Sequence, residues 1–252
     1  MCGIHASIST KSFQRPSHDL KRLLCNRGPD HVGTCQAQID SEDGPTYFLS
    51  FTSTVLALRG DHITLQPFQD LSSGSVLCWN GEAWRIGSQA VVGNDGQAVF
   101  DLLIEASSSH KLASESTAAV LRVLQSISGP FTFVYLDKMH GKVYFGRDRL
   151  GRRSLLYNSD VSPASMEFAS LANPTAGMWE EVEADAIYFV SFSDGDTLKG
   201  SKIEKKSLYS ASILPVHKHI WETLAPDSSV STVLSMSKMQ FRYLWLLYEN
   251  LC

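Results

Sequence analysis

The feature that most constrains the fold is a long succession of short β-prone runs, broken by two helical intervals, between residue 1 and about residue 190. Runs rich in aromatic and β-branched residues are typical of strands, and the sequence predicts strands at 47–53, 75–79, 131–136, 142–145, 155–157 and 186–192. The third and fourth of these are joined by a turn at His140-Gly141, which makes them the clearest hairpin of the chain. We find no internal repeat, so the strands belong to sheets rather than to a repeat array.

The two helical intervals show apolar residues at helical spacing. The first spans 17–25, begins with Ser17 or Asp19 as its cap and ends at the Gly28-Pro29 turn. The second follows Asn94-Asp95, has an i, i+3, i+4, i+7 apolar pattern and continues in a further helical stretch after a Ser-rich break. Helices of this kind pack on sheets, so the expected class is α+β or layered αββα.

Composition excludes several classes of partner. The chain has 252 residues, 43% of them hydrophobic, and a net charge of −4, with its 22 Lys and Arg residues scattered along the sequence. A nucleic-acid-binding protein would carry a basic stripe, so we expect no nucleic-acid partner. No apolar run reaches the roughly 18 residues that a transmembrane helix needs, so we expect no membrane partner. The sequence is long enough for one large or two small domains.

The five cysteines predict a compartment rather than a metal site. Their number is odd, and they form neither a C-x-x-C pair nor a Cys/His ligand pattern. We therefore interpret them as reduced thiols and expect a cytoplasmic protein without a bound metal. No secretory signal peptide is evident at the N-terminus.

Cys2 is the strongest candidate for a catalytic residue. Removal of Met1 would leave Cys2 with a thiol of pKa about 8.5 and a free α-amine of pKa about 7.7 to 8.0. The amine, acting through a water, could take the thiol proton, so one residue would supply both nucleophile and base. Gly3 would let a substrate approach the backbone closely. Taken alone, a cysteine at position 2 is more often an ordinary thiol.

Five motifs occur in order along the chain, and the first of them contains this cysteine. They are MCGI at 1–4, NRGPD at 26–30, WNGE at 79–82, SGPFTFVYLD at 128–137 and FGRDRLG at 145–151. In these motifs the chain resembles the N-terminal glutaminase domain of the class II (Ntn-type) glutamine amidotransferases, and among them a divergent member of the asparagine synthetase family. The resemblance covers about residues 2–192 and implies the four-layer αββα sandwich of Ntn hydrolases, with no cofactor.

The resemblance also implies a reaction and its catalytic residues. Cys2 would attack the side-chain amide of glutamine, form a γ-glutamyl thioester and release ammonia, and water would then release glutamate. Asn80 and Gly81 look like the oxyanion pair, a side-chain amide and a backbone N–H directed at the tetrahedral intermediate. Without the other motifs, Asn-Gly after an apolar strand would be interpreted as a hairpin turn.

Three further residues resemble those that bind free glutamine. Arg59 is similar to the residue for the α-carboxylate, and Glu82 and Asp95 to those for the α-ammonium group. The plain alternatives are a solvated surface arginine and an aspartate placed at a helix N-terminus by the dipole. Arg27 and Asp30 are expected to support the turn beside the nucleophile, and Arg147 with Asp148 is expected to form an ion pair outside the catalytic set.

The chain departs from the family pattern at several points. Ala83-Trp84-Arg85 replaces the usual Ile-Tyr-Asn, and Ser154 stands where the family has proline. The SGGxDS loop that binds pyrophosphate in the synthetase half does not occur in the sequence. We therefore predict a glutaminase domain at 2–192 and a linker with a poorly ordered tail at 193–252, truncated before a synthetase domain. The expected ammonia acceptor is a synthetase domain or partner elsewhere.

Two alternatives to a glutaminase stay open at the level of sequence. The altered pocket motifs could belong to a binding or scaffold protein that keeps the Ntn fold with weak or no catalysis. The same Cys2 mechanism could also serve an N-terminal-nucleophile hydrolase that cleaves a different amide, such as a peptide. The proposed residues for α-carboxylate and α-ammonium binding favour a free amino acid.

Overall fold

Two six-stranded antiparallel sheets form the centre of the molecule. The computed structural model describes residues 1–41, 44–58, 62–158, 165–172, 177–192 and 216–221. In chain order the elements are β1 (Gly3–Ser9), α1 (His18–Arg27), β2 (His31–Asp40), β3 (Thr46–Val55), β4 (Phe68–Gln69), β5 (Val76–Gly81), β6 (Arg85–Ile86), β7 (Gln89–Ala90), α2 (Asp95–Ser108), α3 (Ala113–Ser126), β8 (Ile127–Ser128), β9 (Phe131–Asp137), β10 (Lys142–Arg147), β11 (Leu156–Asn158), β12 (Ser165–Ala169), β13 (Trp179–Glu181), β14 (Ala186–Ser191) and β15 (Val216–Ile220).

The first sheet has the order β13-β11-β12-β1-β3-β2, and the second has the order β15-β14-β10-β9-β5-β4. Side chains alternate between the faces of each strand. In β9, Val134 and Leu136 enter the core shared with the first sheet, whereas Phe133 and Tyr135 enter the core beneath the helices. Both faces of the second sheet are therefore buried, which explains why its strands appear in the sequence as nearly continuous apolar runs.

The helices form the two outer layers. Leu20 and Leu24 of α1 pack on Ala169 of the first sheet. Apolar residues of α2 and α3, including Leu103 and Leu124, pack on the second sheet. A small third sheet, β7-β6-β8, lies beside these elements. The succession of helix, sheet, sheet and helices confirms the expected α+β, four-layer αββα sandwich.

Both predicted helix starts are capped by the side chains that the sequence offers. Ser17 Oγ accepts a hydrogen bond from the Leu20 amide at 3.2 Å, so Ser17, not Asp19, caps α1. Asn94 Oδ1 accepts a hydrogen bond from the Gln97 amide at 3.0 Å and caps α2. The predicted turn at His140-Gly141 is also present, with Gly141 at a φ of 58°, a conformation that glycine adopts without strain.

Nine of the described strands were not predicted from the sequence, namely β1, β2, β4, β6, β7, β8, β12, β13 and β15. β1 and β12 contain small and polar residues that are buried by neighbouring strands and α1, a setting that local patterning does not reveal. β15 pairs with β14 inside the stretch that we predicted to be linker and tail. Residues 193–215 and 222–252 lie outside the described residues, so the predicted tail stays a prediction. No helix in the described ranges is long and apolar enough to cross a membrane.

Candidate active site

Cys2 lies immediately before β1, and close packing of the next residue fixes its position. The Gly3 amide donates a hydrogen bond to Thr54 Oγ1 at 3.1 Å, and Thr54 Oγ1 donates to the Leu24 carbonyl at 2.6 Å. A side chain at Gly3 would collide with Thr54 and Leu24. The start of β1 is therefore held between β3 and α1, and glycine is required there because of this close approach.

A cleft of about 270 Å³ opens beside Cys2. Five of the six predicted site residues line it, namely Cys2, Asn80, Gly81, Glu82 and Asp95. The sixth, Arg59, lies outside the described residues, so its predicted role stays a prediction. The cleft is lined by the residues before β1, the end of β3 with the loop after it, the end of β5 and the start of α2, which are distant in sequence. The fold thus brings most of the predicted site together.

Asn80 presents a buried amide to this region. The residue is 2% exposed, and its Nδ2 atom has no hydrogen-bond partner among the described residues. Asn80 and Gly81 are paired with Thr132 and Phe131 inside the second sheet, so they are strand residues and not the hairpin turn that the dipeptide alone would indicate. A buried donor without a partner is unusual in a folded protein and indicates a place for a ligand acceptor.

The backbone of β5 directs the Gly81 amide toward the edge of β5 that lies beyond the end of β4. The Trp79 amide donates to Gln66 Oε1 at 3.0 Å on one side of β5, and the Glu82 amide donates to the Pro130 carbonyl at 2.8 Å on the other. Because amides alternate along a strand, the Gly81 N–H points to the Trp79 side, beyond the end of β4. A Cβ on Gly81 would lie 2.6 Å from the Phe131 Cβ, which explains the glycine.

Asp95 holds in place the segment 79–83, which contains Asn80. Its Oδ2 atom accepts hydrogen bonds from Trp79 Nε1 and from the Ala83 amide, both at 2.9 Å. Trp79 precedes the Asn80-Gly81 pair and Ala83 follows it, so one carboxylate fixes both ends of this segment. The buried carboxylate also lies in the first turn of α2, where the helix dipole favours negative charge. This positioning role was not evident from the sequence.

The surroundings of Cys2 act on its protonation in opposite directions. Burial raises the pKa of the thiol, and the charge of Asp95 raises it further. A hydrogen bond with the Leu56 backbone, the neighbouring α-amine and the charge of Arg27 lower it, but the net shift is upward. With Met1 in place, the thiol is therefore poorly ionised at neutral pH.

Two arginines surround Met1 at this end of the cleft. Arg153 Nη1 lies 2.9 Å from the Met1 sulfur, and Arg27 Nη2 lies 3.4 Å from it. Arg27 Nη1 also donates to Ser154 Oγ at 3.2 Å and to the Ser170 carbonyl at 2.9 Å. The serine that replaces the family's proline thus helps to hold Arg27. Arg153, the second residue after the FGRDRLG motif, was not among the predicted site residues.

The remaining sequence predictions around the site have mixed outcomes. Asp30 supports the loop near Cys2, since its Oδ2 accepts a hydrogen bond from the Ala57 amide at 2.7 Å. The expected ion pair between Arg147 and Asp148 was wrong. Arg147 pairs with Glu181 at 3.0 Å and Asp148 with Arg152 at 2.9 Å, because the loop after β10 turns the adjacent side chains to different neighbours. Within the described ranges, no group of three His, Cys, Asp or Glu side chains could hold a metal ion.

Comparisons with known proteins agree with this geometry. Residues 1–194 match the family described as glutamine amidotransferase domain. The chain is 34% identical over 196 residues to asparagine synthetase domain-containing protein 1 of Bos taurus, and 35% identical over 195 residues to that of Homo sapiens. Each alignment covers 75% of this chain and 28% of the relative, so the chain spans little more than a quarter of their length.

Solved structures show the same fold at low sequence identity. The glutamine phosphoribosylpyrophosphate amidotransferase from B. subtilis aligns with a TM-score of 0.53 at 14% identity, over 75% of this chain and 47% of that one. An allosteric regulatory enzyme of purine biosynthesis aligns with a TM-score of 0.52 at 15% identity over the same shares. These similarities confirm the architecture, and the site has to be argued from its own residues.

Proposed function

Since the chain belongs to the glutamine amidotransferase domain family, we propose that it hydrolyses the side-chain amide of glutamine to glutamate and ammonia, with Cys2 as its nucleophile after removal of Met1. The observation that carries the proposal is the buried, unpartnered Nδ2 of Asn80 in the cleft that Cys2 also lines. A nucleophile and an unsatisfied donor in one cleft are what acyl transfer requires.

The chemistry divides into two acyl-transfer steps. The α-amine of Cys2, through a water, takes the thiol proton, and the sulfur attacks the amide carbon of glutamine. Asn80 Nδ2 and the Gly81 N–H stabilise the oxyanion of the tetrahedral intermediate. Collapse breaks the C–N bond, and the departing nitrogen receives the proton held by the amine and leaves as ammonia. Water then attacks the thioester carbon and gives a proton to the amine, the C–S bond breaks to release glutamate, and the amine returns the proton to the Cys2 thiolate.

Binding of the amino-acid end of glutamine involves the other side of the cleft. Asp95 uses Oδ2 for Trp79 and Ala83, which leaves Oδ1 for the α-ammonium group of the substrate. Glu82 lines the same cleft and supplies a second negative charge. Arg59 is proposed to bind the α-carboxylate, as the resemblance to the family implies. These charges favour a free amino acid over a peptide.

The ammonia is proposed to serve a synthetase domain or partner. The curated relatives are named asparagine synthetase domain-containing protein 1, and this chain corresponds to about 28% of their length. We assign the ammonia-donating step to the residues present here, since the SGGxDS loop of the synthetase half does not occur among them. The cysteine pattern favours a cytoplasmic setting for this reaction.

The test is the intact mass of the purified chain before and after incubation with an electrophilic glutamine analogue. We expect a starting mass without Met1 and a single adduct, which Cys2→Ala does not acquire. Cys25→Ala is the matched control, because Cys25 is also partly exposed but lies on α1 outside the cleft, and it should label as the unsubstituted chain does. Labelling of Cys2→Ala, or no labelling of a chain that has lost Met1, would contradict the proposal.

A further inference from the structure

The guanidinium groups of Arg27 and Arg153 both lie beside the Met1 sulfur, which is a weak hydrogen-bond acceptor. Arg153 Nη1 and Arg27 Nη2 both contact the thioether sulfur of Met1, which is neutral and only a weak acceptor. Among the residues that the structure describes, no Asp or Glu lies within ion-pair distance of either arginine. The Nε atoms of both side chains are buried without a partner. Two positive charges are thus held together at the N-terminus with no described carboxylate paired to them.

Their position is held by the surrounding fold. Arg27, at the end of α1, donates to Ser154 Oγ and to the Ser170 carbonyl, and Ser154 Oγ donates to the same carbonyl at 2.6 Å. The Arg153 carbonyl accepts a hydrogen bond from Arg147 Nε at 2.7 Å. Ser170 Oγ in turn accepts from the Ile4 amide at 2.9 Å, two residues after the nucleophile. The arginines and the nucleophile are therefore anchored to one network.

The other charged groups around Cys2 are acidic and come from different elements. Asp95 comes from α2, Glu82 from the segment after β5, and Asp30 from the loop after α1. A negative charge disfavours both the thiolate and a neutral amine, and burial of the sulfur also disfavours the thiolate. Among the described residues, the charge of Arg27 opposes these effects at both the thiol and the Met1 α-amine, and the charge of Arg153 opposes them at the α-amine.

We propose that Arg153, with Arg27 beside it, acts as a positioning residue that sets the protonation of Cys2, so that its α-amine is unprotonated and its thiol ionises near neutral pH. This inference rests on the proposed function, which requires the amine as the base. Removal of Met1 places the α-amine on Cys2 itself, beside the space that the Met1 side chain leaves between the two guanidinium groups. Their charges then act on an amine that must accept a proton.

The direction of this effect is already visible with Met1 present. Burial lowers the pKa of the Met1 α-amine, and the charges of Arg27 and Arg153 lower it further, against Cys2 and Asp30, which raise it. A neutral amine is the form that can take the thiol proton. The cation pair thus favours the active protonation state by direct Coulomb interaction, without touching the substrate.

The test is the pH dependence of Cys2 alkylation by iodoacetamide, followed by mass spectrometry of the N-terminal peptide in chains shown to lack Met1. We expect Arg153→Gln to move the midpoint to higher pH and to slow alkylation at pH 7 by about three- to tenfold, the effect of losing one nearby charge at a partly exposed site. Arg153→Lys keeps the charge and should stay close to the unsubstituted chain. Arg149→Gln removes an arginine from the same loop. Because Arg149 does not line the cleft, this variant should have no effect.

A profile for Arg153→Gln that superimposes on that of the unsubstituted chain, with an unchanged melting temperature, would overturn the inference. Equal slowing in Arg153→Lys and Arg153→Gln would also overturn it, because shape and not charge would then be responsible. Iodoacetamide needs no glutamine pocket. A chain that shows the expected alkylation profile but does not react with the glutamine analogue would therefore overturn the proposed function and leave this inference standing.

Discussion

At the scale of single residues, Asn80 shows most clearly how the fold prepares a site. A buried polar group without a partner costs about 1–3 kcal/mol, so such groups are rare in a stable protein. The Nδ2 atom of Asn80 has no partner among the described residues and its side chain borders the cleft, so a ligand acceptor there would satisfy it. Asp95 holds the flanking Trp79 and Ala83, so the amide cannot easily turn away to find a partner. A donor held in this way needs no reorganisation when an oxyanion forms.

We predict that Asn80→Ala lowers kcat/KM for glutamine hydrolysis by about 10²–10³, because an oxyanion donor acts mainly in the transition state. The affinity for glutamine, measured by titration calorimetry, should change little. Glutamate release measures the rate, and Asn26→Ala, an exposed asparagine on α1, is the matched control. A kcat/KM within a few-fold of the unsubstituted chain would remove Asn80 from the catalytic role.

At the scale of elements, β15 shows how a strand can be added to a sheet by side-chain contacts. Lys218 Nζ lies 2.9 Å from Asp185 Oδ2, and the Tyr188 hydroxyl donates to Asp185 Oδ1 at 2.9 Å. The ring of His217 stacks on Phe189, with 4.7 Å between centroids. Burial raises the pKa of Asp185, but hydrogen bonds from Lys218 and Tyr188 and the charge of Lys218 outweigh it, so the net pKa is lowered.

This lowered pKa gives a pH-dependent contribution of Asp185 to stability. The folded pKa lies below the unfolded value of about 3.9, so the contribution is complete above that value and is lost as the pH falls through the folded pKa. The Asp185 side chain is 47% exposed, so we expect no more than about 1 kcal/mol. Asp185→Asn should therefore melt at most about 2–4 °C lower at pH 6, and the difference should disappear as the pH falls through the folded pKa of Asp185.

Thermal unfolding of both chains across this pH range measures the effect. Asp101→Asn, which removes an exposed carboxylate on α2, is the control and should give a smaller difference. A difference for Asp185→Asn that persists unchanged at the lowest pH would show that the contact does not depend on the ionised carboxylate.

At the scale of the whole molecule, the contact between the two sheets holds the nucleophile strand in place. Phe145 of β10 packs against Phe168 of β12 across the sheets, with ring centroids 4.4 Å apart. Ile4 of β1 lies in the same core, two residues after Cys2. The cleft depends on this packing, because Cys2 comes with the first sheet and Asn80 with the second. Catalytic geometry and global stability are therefore linked.

We predict that Phe168→Ala lowers the free energy of unfolding by about 3–5 kcal/mol, since it leaves a large cavity between the sheets. Urea denaturation of the two chains measures this difference. Phe13→Ala is the matched control, because Phe13 is 37% exposed and packs on Phe48 at the surface, so its loss should be clearly smaller. Equal losses for the two variants would contradict a shared core that holds the sheets together.

The sequence by itself determined what local chemistry decides. The sequence offered Ser17 or Asp19 as the cap of α1 and Asn94-Asp95 as the start of α2, and it predicted a turn at His140-Gly141, because those preferences act within a few residues. The order of motifs indicated the family, the four-layer fold and five residues that line the cleft. Each of these features depends on neighbouring residues or on the identity of a motif, so it can be predicted from the sequence.

Only the tertiary structure decided which distant groups meet. It placed Asn80 and Gly81 in a strand and not in a turn, because β9 pairs with that segment from about fifty residues further along the chain. It separated Arg147 from Asp148 and brought Arg153 to Met1 across the length of the domain. It paired β15 with the edge of β14 and brought Lys218 to Asp185. Such contacts depend on packing between remote segments, which local propensity does not encode.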